Sequence, residues 1–230
     1  MTIVGVVAAL EAEARTLGPK VRRGDGLSTL SDGALLAVSG IGGSQAAAAA
    51  GSLVAAGAKS LMSFGLAGGL DPRLTAGSVV LPGNVISRDG ASFRAAETWR
   101  EQFRLLISAR LDVVSGALLS MAQPIDAVAD KARLFRETGA VAVDMESVSI
   151  AEVAAAHGLP FIAVRVIVDT AQDVLPSAVV AASRDGEVNV ARLVLRLAAK
   201  PTDLMALLRL ARRYRAATRS LQSIALARVA

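Results

Sequence analysis

The stretch VAVDMESVSIAEVAAAHGLPFIAVRVIVD, residues 141–169, holds a strand, a helix and a second strand in one continuous run. Residues 141–143 are wholly apolar. The run then breaks at Asp144-Met145-Glu146 and continues as a helix of small residues until His157-Gly158 and Pro160 end it. Residues 161–168, FIAVRVIV, are the strongest strand in the sequence. Near-continuous apolar strands bridged by helices build a mostly parallel sheet with both faces covered. Two carboxylates flanking a methionine sit where a buried strand hands over to a helix. In a purely structural element that position costs stability and returns little, so what the two acids face becomes the question.

The same alternation runs through the chain. Residues 3–9 (IVGVVAA), 34–40 (ALLAVSG), 60–65 (SLMSFG), 78–87 (SVVLPGNVIS, one or two strands), 113–119 (VVSGALL) and 140–143 (AVAV) read as strands. Helices are expected after Gly42-Gly43-Ser44 as far as Gly57, over 97–109, and over about 127–137. The segment 66–70 (LAGGL) reads as a glycine-rich loop closing the strand at 60–65. No repeat or low-complexity linker divides the chain. The expected fold class is α/β: a three-layer sandwich with a mixed, mostly parallel twisted sheet and helices on both faces.

Composition narrows the function. Apolar residues make up 53% of the 230, chiefly Ala, Val and Leu, which excludes a disordered chain. With no Cys and one His there is no disulfide framework, and the residues argue against a metal site. A reducing cytoplasm fits. The start of the chain lacks a basic region and meets Glu11 and Glu13, a poor signal peptide. Residues 33–58 carry no charge, but Gly40, Gly42, Gly43, Ser44 and Gln45 interrupt them and argue against a spanning helix. The net charge of +5 gathers near the end: Arg192, Arg196, Arg209, Arg212, Arg213, Arg215, Arg219 and Arg228 face one acid, Asp203. From Pro201 onward Leu204, Leu207, Leu208, Ala211, Tyr214, Leu221 and Ile224 recur at helical spacing, giving a basic amphipathic C-terminal helix. Such a helix either packs on the domain with a solvated basic face or touches an anionic membrane surface.

In an α/β sheet the working residues lie at the carboxyl ends of strands. There the sequence places Glu11 and Glu13, the glycines of SGIGG and GLAGG, Asp144-Met145-Glu146, and Asp169. Each also has a plain structural reading. Glu13 fits a first-turn acid, Asp144 an N-cap, Asp169 an N-cap or turn residue, and His157 a helix C-terminus. The glycines match neither the dinucleotide fingerprint nor the P-loop, since Gln45 stands at the third glycine position and no Lys-Ser/Thr follows. With one poorly placed His there is no Ser-His-Asp set.

Taken in order, VGVVAALEAEA, SGIGG, GLAGGL with GSVVLP, VAVDMES and LPFIAVRVIVD resemble the nucleoside phosphorylase and methylthioadenosine/S-adenosylhomocysteine nucleosidase superfamily, over residues 3 to about 170. GAVAVDMES, the LPSAVV loop with its following RDG, and the Arg-rich end resemble its hopanoid-biosynthesis-associated phosphorylase branch, implicated in removing adenine from adenosylhopane. The resemblance implies a nucleoside phosphorylase-like α/β domain over 1–200 and an amphipathic helix over 201–230 packed on it. It implies cleavage of an N-ribosidic bond without a cofactor, phosphate being the one candidate co-substrate. Partners are a nucleoside or nucleoside-lipid and further copies of the chain as a homo-oligomer, with no nucleic acid. The expected place is the cytoplasm, with a peripheral position at the inner membrane face as the alternative.

Residue by residue, the resemblance makes Asp169 the acid that protonates the leaving purine and Glu13 the carboxylate that activates water. Glu146 accepts from the ribose hydroxyls while Met145 packs against the sugar. Gly42, Gly65, Leu66 and Gly68 form the nucleoside or phosphate loop, and Leu118, Leu119 and Ser120 lie by the base. The sequence departs from the pattern at Val168, where the nucleosidases carry Ser, and at Asp144, where Glu is usual. It departs again at Leu66, where phosphorylases hold phosphate with a hydroxyl. A leucine donates no such bond, which tilts the reading towards hydrolysis, with Arg88, Arg94 or Arg165 left as phosphate ligands for the other outcome. A methylthioadenosine or S-adenosylhomocysteine nucleosidase, and a non-catalytic nucleoside- or lipid-binding protein, remain as alternatives.

Overall fold

The computed structural model describes residues 3–174 and 202–229, with side chains of the last helix described over 211–227. The LPSAVV loop, its RDG, Arg192, Arg196 and Pro201 lie outside the described residues. The chain runs β1 (Val4–Ala8), α1 (Glu11–Thr16), β2 (Lys20–Arg22), β3 (Ser28–Leu30), β4 (Leu35–Val38), α2 (Gly43–Ala55) and β5 (Ser60–Gly69). It continues through β6 (Val79–Val80), β7 (Asn84–Ser87), β8 (Ser92–Arg94), α3 (Glu97–Ser108), β9 (Val113–Val114), β10 (Ala117–Ser120) and α4 (Val128–Thr138). It ends with β11 (Ala140–Asp144), α5 (Ser147–Ala156), β12 (Phe161–Asp169) and α6 (Thr202–Val229).

The strands join one mixed sheet in the order β2-β3-β4-β1-β5-β11-β10-β7-β8, with β12 added beside β5 and β6. The central pairs β1–β4, β1–β5, β5–β12 and β10–β11 are parallel. The edges and the β5–β11 junction are antiparallel. Successive residues of a strand point to opposite faces, and the packing follows that period. On β12, Phe161, Ala163 and Ile167 join one core with Ala46, Ala50 and Leu53 of α2 and Ile150 and Ala154 of α5. Ile162, Val164 and Val166 join the other, with Ala14 of α1, Phe103 and Ile107 of α3, and Leu221 and Ile224 of α6. Helices therefore cover both faces of an apolar sheet, as the uninterrupted strands require.

The site owes its position to β5. This strand pairs with β1 only as far as Phe64, then outlasts it and meets β11 at Gly68 and Gly69, while β12 follows it along most of its length. The divergence of β1 from β11 opens a crevice at the carboxyl ends of the strands, the usual position for a ligand in such sheets. The glycine-rich loop expected at 66–70 is thus strand through Gly69. Its glycines admit close neighbours: a Cβ on Gly65 would stand 2.6 Å from Arg165 Nη1 and 2.6 Å from Glu13 Oε1.

Other expectations shift as well. The strand read over 113–119 is two short strands parted at Ser115-Gly116, and the hairpin β2–β3 and strand β8 carried no strong sequence pattern. On α6 the buried stripe is Ala217, Leu221, Ile224 and Ala225, whereas Ala211, assigned to the apolar face, is exposed. Among the described residues no helix is long and apolar enough to cross a membrane.

Candidate active site

A cavity of about 290 Å³ opens at the crevice. Its apolar walls include Leu10, Ile41, Ile125, Val143 and Val168, and its polar ones include Glu13, Asp144, Glu146 and Asp169. Met145, Leu66 and Gly68 line it too. The ends of β1, β5, β11 and β12 thus bring together most of the residues singled out from sequence. Among the described residues no group of three or more His, Cys, Asp or Glu is disposed to hold a metal.

Glu13 sits in the first turn of α1, and its carboxylate is buried. Oε2 accepts from the Leu10 N–H at 2.9 Å and Oε1 from the Leu66 N–H at 2.8 Å. The first bond is a helix-capping contact, as the first-turn reading expects, and the second spans to β5 at the cavity wall. Leu66 lacks a hydroxyl, and its amide is already committed to Glu13. Burial raises the Glu13 carboxyl above its ordinary range, against the opposing pull of Arg165 and three backbone amides.

At the β11–α5 handover the two acids part. Asp144 Oδ2 accepts from the first helical amide, Ser147 N, at 3.2 Å, and pairs with Arg165 Nη2 at 2.7 Å. Its Oδ1 accepts from the Ser120 hydroxyl. Glu146 turns the other way: Oε1 accepts from the Gly42 N–H at 3.0 Å and Oε2 lies 3.8 Å from Arg165 Nη2. Gly42 reaches this bond with φ at 110°, a conformation that favours glycine. Burial and the neighbouring Asp144 charge push Glu146 up to about 7, although Arg165 and the Gly42 amide pull it down.

Arg165, 1% exposed in mid-strand on β12, serves these acids. Its Nη2 also donates to Ser63 Oγ at 2.6 Å and Ser147 Oγ at 3.1 Å, while Nε has no partner among the described residues. Committed to its carboxylates and hydroxyls, this guanidinium is not a wall of the cavity. Neither are Arg88 and Arg94, both exposed.

Asp169 ends β12 and is buried against a residue that sequence reading passed over. Lys131 of α4, fully buried, places Nζ 2.5 Å from Asp169 Oδ2 and donates to Thr170 O at 2.9 Å and Asp173 O at 3.0 Å. Burial raises the Asp169 carboxyl, and the Lys131 charge and hydrogen bond draw it back. The signal for Lys131 lay in its spacing, three and four residues before Leu134 and Phe135 on the packed face of α4. Beyond it, Arg213 of α6 pairs with Asp173 and Tyr214 reaches the cavity wall.

The base-side expectation is displaced. Leu118 and Leu119 are fully buried in two different cores and their side chains do not line the cavity. The Ser120 hydroxyl is spent on Asp144 and the Val148 amide. Strand side chains alternate into the packed layers, and it is the segment just beyond, Gln123-Pro124-Ile125, that lines the cavity. His157 closes α5 as its C-cap, away from the cavity.

Residues 26–199, about three-quarters of the chain, match the phosphorylase superfamily. No curated protein matches the sequence. Among solved structures, futalosine hydrolase of Helicobacter pylori is similar at a TM-score of 0.69 and 17% identity, over 97% of each chain. The 5′-methylthioadenosine/S-adenosylhomocysteine nucleosidase of Campylobacter jejuni is similar at 0.68 and 17%, over 86% of this chain and 97% of that one. The corresponding enzyme from Colwellia psychrerythraea, solved with adenine, gives 0.65 and 22% over 74% and 83%. At such identities the likeness speaks for the fold.

Proposed function

The chain belongs to the phosphorylase superfamily, and on that premise we propose that it cleaves the N-ribosidic bond of a 5′-substituted adenosine by hydrolysis, releasing adenine. The observation that carries the reading is Glu13, buried at the cavity wall and fixed by the Leu10 and Leu66 amides. Held in this way, the carboxylate takes a proton from a water attacking C1′, while the Leu66 amide is not free for an anion. As the C1′–N9 bond breaks, its electron pair passes to the purine. Asp169 gives N7 a proton, so the base departs neutral. The oxocarbenium-like sugar lies over Met145, its hydroxyls donating to Glu146. Each turnover moves one proton from water to Glu13 and one from Asp169 to the base.

Adenosylhopane is the proposed substrate. The support is the resemblance to the hopanoid branch together with the apolar wall of Leu10, Ile41, Ile125 and Val168 and the placing of Tyr214 from α6. Exposed Arg212, Arg215 and Arg219 suit contact with an anionic membrane surface, where such a lipid resides. Exposed Leu105 and Leu106 on α3 suit a contact between copies in a homo-oligomer. The similarity to methylthioadenosine nucleosidases keeps a smaller 5′-thio substituent as the second reading.

One assay addresses these points: adenine release from adenosylhopane, methylthioadenosine and adenosine, each with and without phosphate. Free sugar independent of phosphate is expected. A sugar 1-phosphate would overturn hydrolysis, fast turnover of methylthioadenosine would favour the second reading, and no adenine from any of the three would sink the enzyme. Asp169→Asn should still bind nucleoside while losing release, which separates a catalyst from a binding protein.

A further inference from the structure

We propose that Lys131 is a positioning residue for Asp169, fixing one carboxylate oxygen and stabilising the carboxylate left once the proton has gone to the leaving base. The inference rests on the assignment of Asp169 as the acid. Its grounds are geometric. An ammonium has three donors, and all three of Lys131 are placed: on Asp169 Oδ2, Thr170 O and Asp173 O. The side chain is fully buried on α4, and a lysine so deeply placed is rare without a paired charge. Oδ1 of Asp169 takes no hydrogen bond from another described side chain, so the carboxyl has one anchored oxygen and one left for a ligand.

The surroundings reinforce the anchor. Asp173, whose carbonyl accepts from Lys131, has its own carboxylate held by the Thr170 amide and hydroxyl, both at 2.9 Å, and by Arg213 of α6. The turn carrying Asp169 is therefore tied to α4 on one side and to α6 on the other. Among the described residues the charged groups facing Lys131 are Asp169 and Asp173, with Arg213 beyond Asp173. On α4 itself, Asp130 and Arg133 pair with one another at the exposed surface.

The chemistry follows from charge. An acid that must yield its proton does so more readily when a fixed cation awaits the resulting anion. Burial alone would hold the proton on Asp169, and Lys131 opposes that. The step is balanced: Asp169 loses a proton to purine N7, Lys131 keeps its own, and the pair ends as ammonium and carboxylate.

The test is the pH profile of kcat/KM for adenine release in the full chain carrying Lys131→Gln and Lys131→Arg. Activity requires protonated Asp169, so it falls as pH rises through the Asp169 titration. Glutamine can still donate to Thr170 O and Asp173 O but carries no charge. It should move that alkaline limb upward by at least about one pH unit and lower the plateau about 10- to 100-fold. Arginine keeps the charge and should leave the limb in place. A merely structural lysine would lower the rate without moving the limb, and that outcome for Lys131→Gln overturns the proposal. A limb displaced by Lys131→Arg as far as by Lys131→Gln overturns it too, and if the glutamine variant does not fold, the neutral Lys131→Met takes its place with the same expected shift and the same refutation. Asp169→Asn run alongside separates the two claims. If it keeps wild-type release, the assignment of the acid fails. If it is inactive while the Lys131→Gln limb stays put, only the role of Lys131 fails.

Discussion

Glu146→Gln is the most direct probe of the site because its expected effect can be worked out in sign and size. An exposed glutamate titrates near 4.5, and Glu146 is pushed to about 7 by burial and then by the Asp144 charge. The folded state therefore binds this proton more tightly than the unfolded chain. Its stabilising contribution is complete below pH 4.5, is lost as pH rises, and is gone above about 7. The whole difference is worth about 3 kcal/mol, most of which falls between pH 5 and pH 8. Glutamine mimics the protonated acid and does not titrate. It also disturbs the bonds from Gly42 and Met145, an offset of about 1 kcal/mol that does not depend on pH.

Urea unfolding of both proteins at pH 5 and pH 8 measures the gap. The variant should gain on the wild type by about 2–3 kcal/mol between the two conditions, whatever the fixed offset. A gap that changes by less than about 0.5 kcal/mol would refute the reasoning, since the Glu146 charge would then not be opposed by its surroundings. The same physics ties stability to function. In the proposed function ribose hydroxyls donate to Glu146, which would favour its charged form, so nucleoside binding near pH 6.5 should release protons. Calorimetry in buffers of different ionisation enthalpy reads that release, and Glu146→Gln should abolish it.

Three further outcomes follow from the geometry. Gly65→Ala puts a Cβ 2.6 Å from both Glu13 Oε1 and Arg165 Nη1; it should destabilise by about 1–3 kcal/mol and lower kcat through displaced Glu13, measured by urea unfolding and adenine release. Arg165→Met leaves Asp144 and Glu146 buried without their counter-charge. It should lose about 3–5 kcal/mol at pH 8 and less at pH 5, where Glu146 is protonated, so an equal loss at both would count against the carboxylate cluster. Removing α6 would expose the Ala217, Leu221 and Ile224 stripe, so membrane contact is better tested with Arg212→Glu, Arg215→Glu and Arg219→Glu together. That variant should keep its fold and lose sedimentation with anionic vesicles, most clearly at low salt. Binding equal to wild type would refute a membrane role for this face.

The fold was legible where side-chain period and backbone need agree. The strands at 4–8, 35–38 and 161–169 are apolar on both faces because helices cover both, and a run of Val, Ile and Ala states that openly. Glycine misled: LAGGL reads as a loop by composition, yet Gly68 continues the strand that already held Gly65, and both are crowded, by Arg165 and Glu13 at Gly65 and by Asp169 at Gly68. That crowding comes from residues about 50 to 100 positions away and leaves no local mark. Leu118 and Leu119 failed for the complementary reason: a position beside the cavity in sequence becomes core once strand alternation turns its side chain into a packed layer.

The acids and the cations of the site differ in how far sequence betrays them. Glu13, Glu146 and Asp169 stand at strand ends, where an isolated carboxylate interrupts an apolar pattern and asks for an explanation. A lysine on an amphipathic helix asks for none, since such residues are ordinarily solvated. Lys131 becomes informative only when its buried spacing with Leu134 is set beside Asp169, which β12 brings to it from 38 residues away. Arg165 lies between these cases: a charge in mid-strand amid FIAVRVIV had to be paired, and the Asp144 and Glu146 at the preceding handover were its available partners. The opening motif thus does two jobs with two acids. Asp144 neutralises Arg165 and holds the first turn of α5, and that leaves Glu146, bonded to the glycine bend at Gly42, as the acid with a proton to trade with a ligand near neutral pH.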